Sequence, residues 1–82
     1  MSPRLRALSS KEILKALGTF GFEVISVTGS HAKVRRLATD GSKQVLVVPL
    51  HRELRPGTIR SIYKQALQYV PVRDLNPWFF AR

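Results

Sequence analysis

The sequence predicts an α+β fold in the order α-β-β-β-α, a three-stranded antiparallel sheet with two helices on one face. Two observations carry this. Apolar residues recur at helical spacing on either side of the middle of the chain: Ile13, Leu17 and Phe20, then Ile59, Ile62 and Ala66. Between them, three segments rich in β-branched residues are separated by the turn signals Gly29-Ser30 and Asp40-Gly41. A meander of three strands can cover one face with both helices and leave the other to water, which makes a two-layer sandwich.

The elements follow in order. Ser9-Ser10-Lys11-Glu12 reads as a capping box, with Ser9 as N-cap and Glu12 reaching back to it. The first helix then carries Ile13, Leu17 and Phe20 on one stripe and ends at Gly21, a natural C-cap. The strands are expected over Glu23–Thr28, His31–Leu37 and Lys43–Val48, the last an almost continuous apolar run that suggests burial. Pro49 ends it, because proline cannot donate to a ladder. Thr58 is the expected N-cap of the second helix, whose stripe is Ile59, Ile62, Ala66 and Tyr69, and Pro71 stops it. The segment VPVRDLNPWFFAR differs in character, being short, proline-broken and aromatic.

With 82 residues the chain makes a single domain, 1–82, with its core over about 9–70 and a tail over 71–82. It has no cysteine, which excludes disulfides and thiolate metal sites. No apolar run approaches the ~20 residues of a membrane span. The basic start, MSPRLRALSS, lacks the apolar stretch of a signal peptide, so we expect a cytoplasmic protein. Charge is the strongest global signal: fourteen Lys and Arg face five Asp and Glu, for a net charge of +9. Such an excess repels itself in the compact state and fits a polyanionic partner, nucleic acid first. Nine of the fourteen bases are arginine, the better match to phosphate geometry.

Strand alternation sorts the second strand. His31, Lys33 and Arg35 share one face, Ala32 and Val34 the other. The small, apolar set belongs against the helices, so the His-Lys-Arg set lies on the open face beside the Gly29-Ser30 turn. An imidazole titrates near neutral pH and can serve as general acid or base on a phosphodiester. RNA brings its own nucleophile, the 2′-hydroxyl, so such cleavage requires a base, an acid and cations, with no cofactor or metal. The residues alone equally allow His31 to be a turn-adjacent surface histidine. His51, in PLHREL, reads as a loop residue bonded to backbone or to the cap of the second helix, or else as a catalytic or RNA-contacting group. Two histidines without clustered carboxylates make no metal site. Arg52, Arg55, Arg60 and Lys64 form a second basic group that is a candidate for phosphate contact, with Arg60 and Lys64 four residues apart on the polar side of the second helix, and that helix's N-terminus near Gly57-Thr58 is another.

Two blocks, SSKEILKALGTFGFEVISVTGSHAKVRR (Ser9–Arg36) and VPLHRELRPGTIRSIYKQA (Val48–Ala66), together resemble the HicA family of toxins, the mRNA interferases of type II toxin–antitoxin systems. The resemblance implies a fold like that of double-stranded-RNA-binding domains, metal-independent cleavage of mRNA, and a catalytic histidine at the GSH position, here His31. It also implies an acidic HicB-type antitoxin that covers the active site. On this reading Lys33 and Arg35 bind the scissile phosphate, Gly29 and Ser30 let the backbone approach it, and Arg60 and Lys64 hold flanking phosphates. The alternative is a non-catalytic RNA-binding module on the same fold. The tail from Asp74 lies outside the family's pattern.

Overall fold

The computed structural model of the chain describes residues 3–81; residues 1, 2 and 82, part of the expected domain 1–82, lie outside the described residues. The elements are β1 (Arg4–Leu5), α1 (Ser10–Thr19), β2 (Glu23–Thr28), β3 (His31–Leu37), β4 (Lys43–Pro49), α2 (Pro56–Ala66), α3 (Val72–Phe79) and β5 (Phe80–Ala81). The expected α-β-β-β-α order runs from α1 to α2, and the chain ends add the rest.

The capping box of α1 is complete. Glu12 N–H donates to Ser9 Oγ at 3.2 Å and Ser9 N–H to Glu12 Oε1 at 3.0 Å. The Ser9 backbone N–H, and then its hydroxyl, hold the Glu12 carboxyl below its ordinary titration. At the other end Phe22 N–H reaches Leu17 O at 3.1 Å and Gly21 N–H reaches Gly18 O at 3.0 Å. Gly21 has φ +92°, the left-handed conformation in which glycine ends a helix without steric cost. The second helix corrects an expectation. It begins at Pro56 with Arg55 as N-cap, not at Thr58. Proline presets the helical φ and lacks an N–H to leave orphaned, so it takes the first helical position. The residue before it is driven to extended backbone, and Arg55 has φ −68°, ψ 149°.

The sheet order is β2-β3-β4, all antiparallel, with Thr28 opposite His31 and His31 opposite Pro49. A bulge at Ile25 interrupts the β2–β3 register. On β3, Ala32 and Val34 are buried while His31 and Lys33 are exposed. The apolar run of β4 is buried on one face only: Leu46 and Val48 lie in the core, Val45 and Val47 on the open face. Both α1 and α2 pack against β4. On β2, Val24 and Val27 share the helix-side face with Val34 and Ala32 yet stay more than half exposed, at 51% and 57%.

Arg36, last of the basic run in sequence, turns inward. Its guanidinium donates to Gln44 Oε1 at 2.5 Å, to Phe20 O at 2.8 Å and to Tyr69 O at 2.6 Å, with Phe22's ring centroid 4.9 Å away. One planar cation thus ties β4, the end of α1 and the turn after α2 to the central strand. Lysine cannot present that fork. Replacing Arg36 by Lys or Leu should each lower unfolding free energy by about 1.5–3 kcal/mol. A urea denaturation midpoint unchanged in Arg36→Lys would refute this role.

The aromatic tail is core. Leu75 and Phe79 on α3 are fully buried, and Trp78 and Phe80 pack partly buried against them. Tyr63 of α2 meets the Phe79 ring at 5.4 Å and the Phe80 ring edge-on at 5.1 Å, and its hydroxyl bonds Asn76 Oδ1. β5 then pairs with β1, Leu5 opposite Phe80, so the two ends of the chain close on each other. Phe79→Ala should cost about 3–5 kcal/mol and lower the melting temperature by more than about 10 °C. A melting curve within a few degrees of wild type would show the tail to be dispensable.

Candidate active site

The site begins at the β2–β3 turn. Gly29 has φ +57° and Ser30 does not share the positive φ, the pattern of a two-residue II′ turn with glycine at its first central position. This turn matches strand twist and delivers His31 at the first position of β3. Leu50 N–H donates to Ser30 O at 2.6 Å, binding the turn to the chain just beyond β4.

The same rung carries the chain to His51, and Ser10 fixes it there. His51 N–H donates to Ser10 Oγ at 3.1 Å, Ser10 Oγ donates to His51 O at 2.9 Å, and Ser10 N–H donates to the same carbonyl at 3.1 Å. Among the described residues Ser10 is the buried polar side chain. The first residue of α1 therefore positions the loop after β4. Three residues on, Leu54 N–H reaches Leu8 O at 3.3 Å and its side chain is buried. The segment between is stretched across one end of the sheet and both histidines are brought to one place.

That place is a cleft of about 480 Å³, lined by His31, His51, Glu53, Arg55 and Thr58, with Pro49 and Leu54 completing the wall. Its far side is the N-terminus of α2. No side chain caps this helix, Pro56 has no N–H, and the first helical bond runs from Ile59 N–H to Arg55 O at 3.0 Å. The amides of Gly57 and Thr58 are left without a helical partner, and such groups favour an anion. Two imidazoles, a carboxylate, a guanidinium and free amides on one wall can move protons and hold a phosphate. Among the described residues no three His, Cys, Asp or Glu side chains converge as metal ligands would.

The residues expected from sequence divide between two surfaces. His31 lines the cleft, while Gly29 and Ser30, the turn just before it, do not. Lys33 and Arg35 run away from it along the open face, opposite Val47 and Val45. Arg60 and Lys64 are exposed on α2, on the other side of the sheet, and Arg60 borders a separate groove. Glu53 is a cleft residue that sequence reading did not single out; His51, Arg55 and the start of α2 near Thr58, candidate contacts to RNA or phosphate in that reading, line the same cleft. A cleft of about 520 Å³ lies at the opposite end of β3, around Phe20, Leu37 and Gln44, but its guanidinium, Arg36, is engaged by the fold.

The family of the HicA toxin of bacterial toxin–antitoxin systems matches residues 10–67, most of the 82-residue chain. The chain belongs to the HicA toxin family. The match spans α1 to α2 and so contains every residue of the cleft; β1, α3 and β5 lie outside it. A HicA toxin is one half of a toxin–antitoxin pair, so an antitoxin is its partner. No match was found among curated proteins. Among the described residues no helix of this HicA chain is long and apolar enough to cross a membrane.

Because Ser10 is the anchor of His51, Ser10→Ala should leave the carbonyl of His51 with one donor and its N–H with none. We expect a loss of about 1–3 kcal/mol in stability and a cleft whose His51 imidazole exchanges between environments. Chemical shifts of the His51 ring, sharp and unmoved in Ser10→Ala, would contradict this.

Proposed function

We propose that this HicA chain is a metal-independent endoribonuclease that cleaves mRNA in the cytoplasm and so stops translation, held silent by an acidic HicB-type antitoxin. The observation that carries the proposal is the presence of both histidines in one cleft beside free amides of α2. The family is known for ribonuclease activity, which supports the same reading.

The chemistry follows from what the cleft offers. The 2′-oxygen of RNA attacks its adjacent phosphorus, and one imidazole takes the 2′-hydroxyl proton. The P–O5′ bond breaks, and the second imidazole, as imidazolium, gives a proton to the departing 5′-oxygen. The products are a 2′,3′-cyclic phosphate and a 5′-hydroxyl. His31 and His51 are the acid–base pair. Charge that develops on the phosphoryl oxygens meets the Gly57 and Thr58 amides and Arg55, donors already in place before the reaction. Gly29 and Ser30 leave room for the backbone of RNA to approach, and Lys33 and Arg35 hold the strand along the open face. Each proton-transfer group is worth about 10²–10⁴-fold in rate.

The test is cleavage of a defined RNA by purified wild type, His31→Ala and His51→Gln, all in the presence of a chelator. Wild type should give a bell-shaped pH–rate profile, and each variant should lose at least about 100-fold and one limb of the bell. A 5′-thio leaving group, which departs without a proton, should restore the variant that lacks the acid and not the other. His31→Ala that cleaves like wild type would refute catalysis at this site. Binding without cleavage by folded wild type would favour the non-catalytic RNA-binding module.

A further inference from the structure

The cleft has a neighbour that is built in part from residues outside the family match. Leu54 lies in its wall and also in the wall of a second groove of about 490 Å³. Arg55 lines the first and Pro56, the next residue, lines the second. The two spaces therefore share a wall at Leu54 and both lie beside the first turn of α2. One bank of the second groove is Ile59 and Arg60 of α2; the other is Arg4, Leu5 and Arg6 of the β1 segment. Three arginines face it and no carboxylate lines it.

The β1 bank is held in place. Leu5 and Arg4 pair with Phe80 and Ala81, Arg6 N–H donates to Phe79 O at 2.8 Å, and the Arg6 guanidinium donates to Trp78 O at 3.2 Å. These acceptors belong to α3 and β5, whose Phe79 is buried in the core. The aromatic tail thus fixes the arginine-bearing segment beside α2. Bringing Arg4 and Arg60 to the same groove costs like-charge repulsion, which a bound polyanion removes. The apolar parts of the wall, Leu5, Leu54 and Ile59, suit a ribose or base between phosphates.

We propose that this groove is a subsite for single-stranded RNA next to the scissile bond, with Arg4 and Arg60 as its phosphate ligands. A volume of about 490 Å³ is that of a pocket for one small ligand, on the scale of about one nucleotide. The assignment rests on the ribonuclease reading for what happens in the cleft, but not for whether RNA binds. It gives the chain ends a function beyond closing the core.

The experiment compares Arg4→Gln/Arg60→Gln with Lys15→Gln/Arg73→Gln, which removes the same charge from the exposed sides of α1 and α3. Affinity for non-cleavable 2′-O-methyl oligoribonucleotides of increasing length is measured across salt, and cleavage is measured on a dinucleotide and on a longer RNA. Loss of the groove arginines should weaken binding of the longer RNA about tenfold at 0.1 M salt and reduce the salt slope by about 1.4, or 0.7 for each of two phosphates. KM for the longer RNA should rise by a larger factor than KM for the dinucleotide. Equal effects in both double variants would reduce the groove to net charge and overturn it. So would groove variants that bind RNA normally but lose affinity for the antitoxin, which would assign the groove to an acidic protein. RNA bound through the groove but never cleaved overturns the ribonuclease reading and leaves the subsite standing. RNA cleaved without dependence on the groove does the reverse, and a chain that neither binds nor cleaves RNA overturns both.

Discussion

The period of two along β3 is the constraint on which both the core and the site depend. Ala32, Val34 and Arg36 point to the helices; His31, Lys33 and Arg35 point away. Shifting the register by one residue would bury three ionisable side chains and expose the centre of the core. The II′ turn at Gly29-Ser30 and the β3–β4 ladder from His31–Pro49 to Leu37–Lys43 hold the register from both sides. Precision at the site is thus inherited from the packing of the core. A histidine placed at the head of this strand cannot wander, because Ala32, its neighbour, is buried under the helices.

Positive charge is put to two different uses. Arg36 spends its guanidinium on two backbone carbonyls and a glutamine, where it closes the junction between α1, β4 and the turn after α2. Arg6 is partly of this kind, tied to Trp78 O. On the proposed function, Arg4, Lys33, Arg35, Arg55 and Arg60 are the charges offered to an anion. A net charge of +9 on 82 residues works against compactness. Small size compounds this, because a chain of this length buries only about 60% of its potential surface. The additional core from Leu75 and Phe79, and the closure of the chain ends by β1 and β5, offset both.

Most of the central fold was legible in the sequence. The capping box at Ser9, the glycine stop at Gly21 and all three strands of the sheet are local patterns, and local patterns survive folding. The start of α2 was misread because Thr58 is a good capping residue, while the rule that wins is the preference of proline for the first helical position at Pro56. The burial of β4 was overread because an apolar run does not say which face is covered; Val45 and Val47 stay open since both helices lie on one side. The tail's helix was missed because Pro77 sits inside it. Pro77 lies near its C-terminus, and the carbonyl its missing N–H leaves free is that of Arg73, an exposed first-turn residue that water can satisfy. Of the site, His31 and its turn were legible from strand alternation. His51 was not, because its position follows from three hydrogen bonds to Ser10, 41 residues away in sequence.

That long-range dependence explains why the cleft is assembled and not encoded by a motif. His31 comes from a hairpin, His51 from the loop after β4, the amides from the start of α2, and the anchor Ser10 from the start of α1. Each is set by a different local rule: turn chemistry, ladder pairing, proline at a helix start, a cap. The N-termini of α1 and α2 meet on the same loop, one holding the backbone of His51 and the other facing its side of the cleft. Loosening either helix start should therefore misplace the same residues. Stability and activity are coupled through that loop, and the capping box, remote from any phosphate, belongs to the site as much as to the helix.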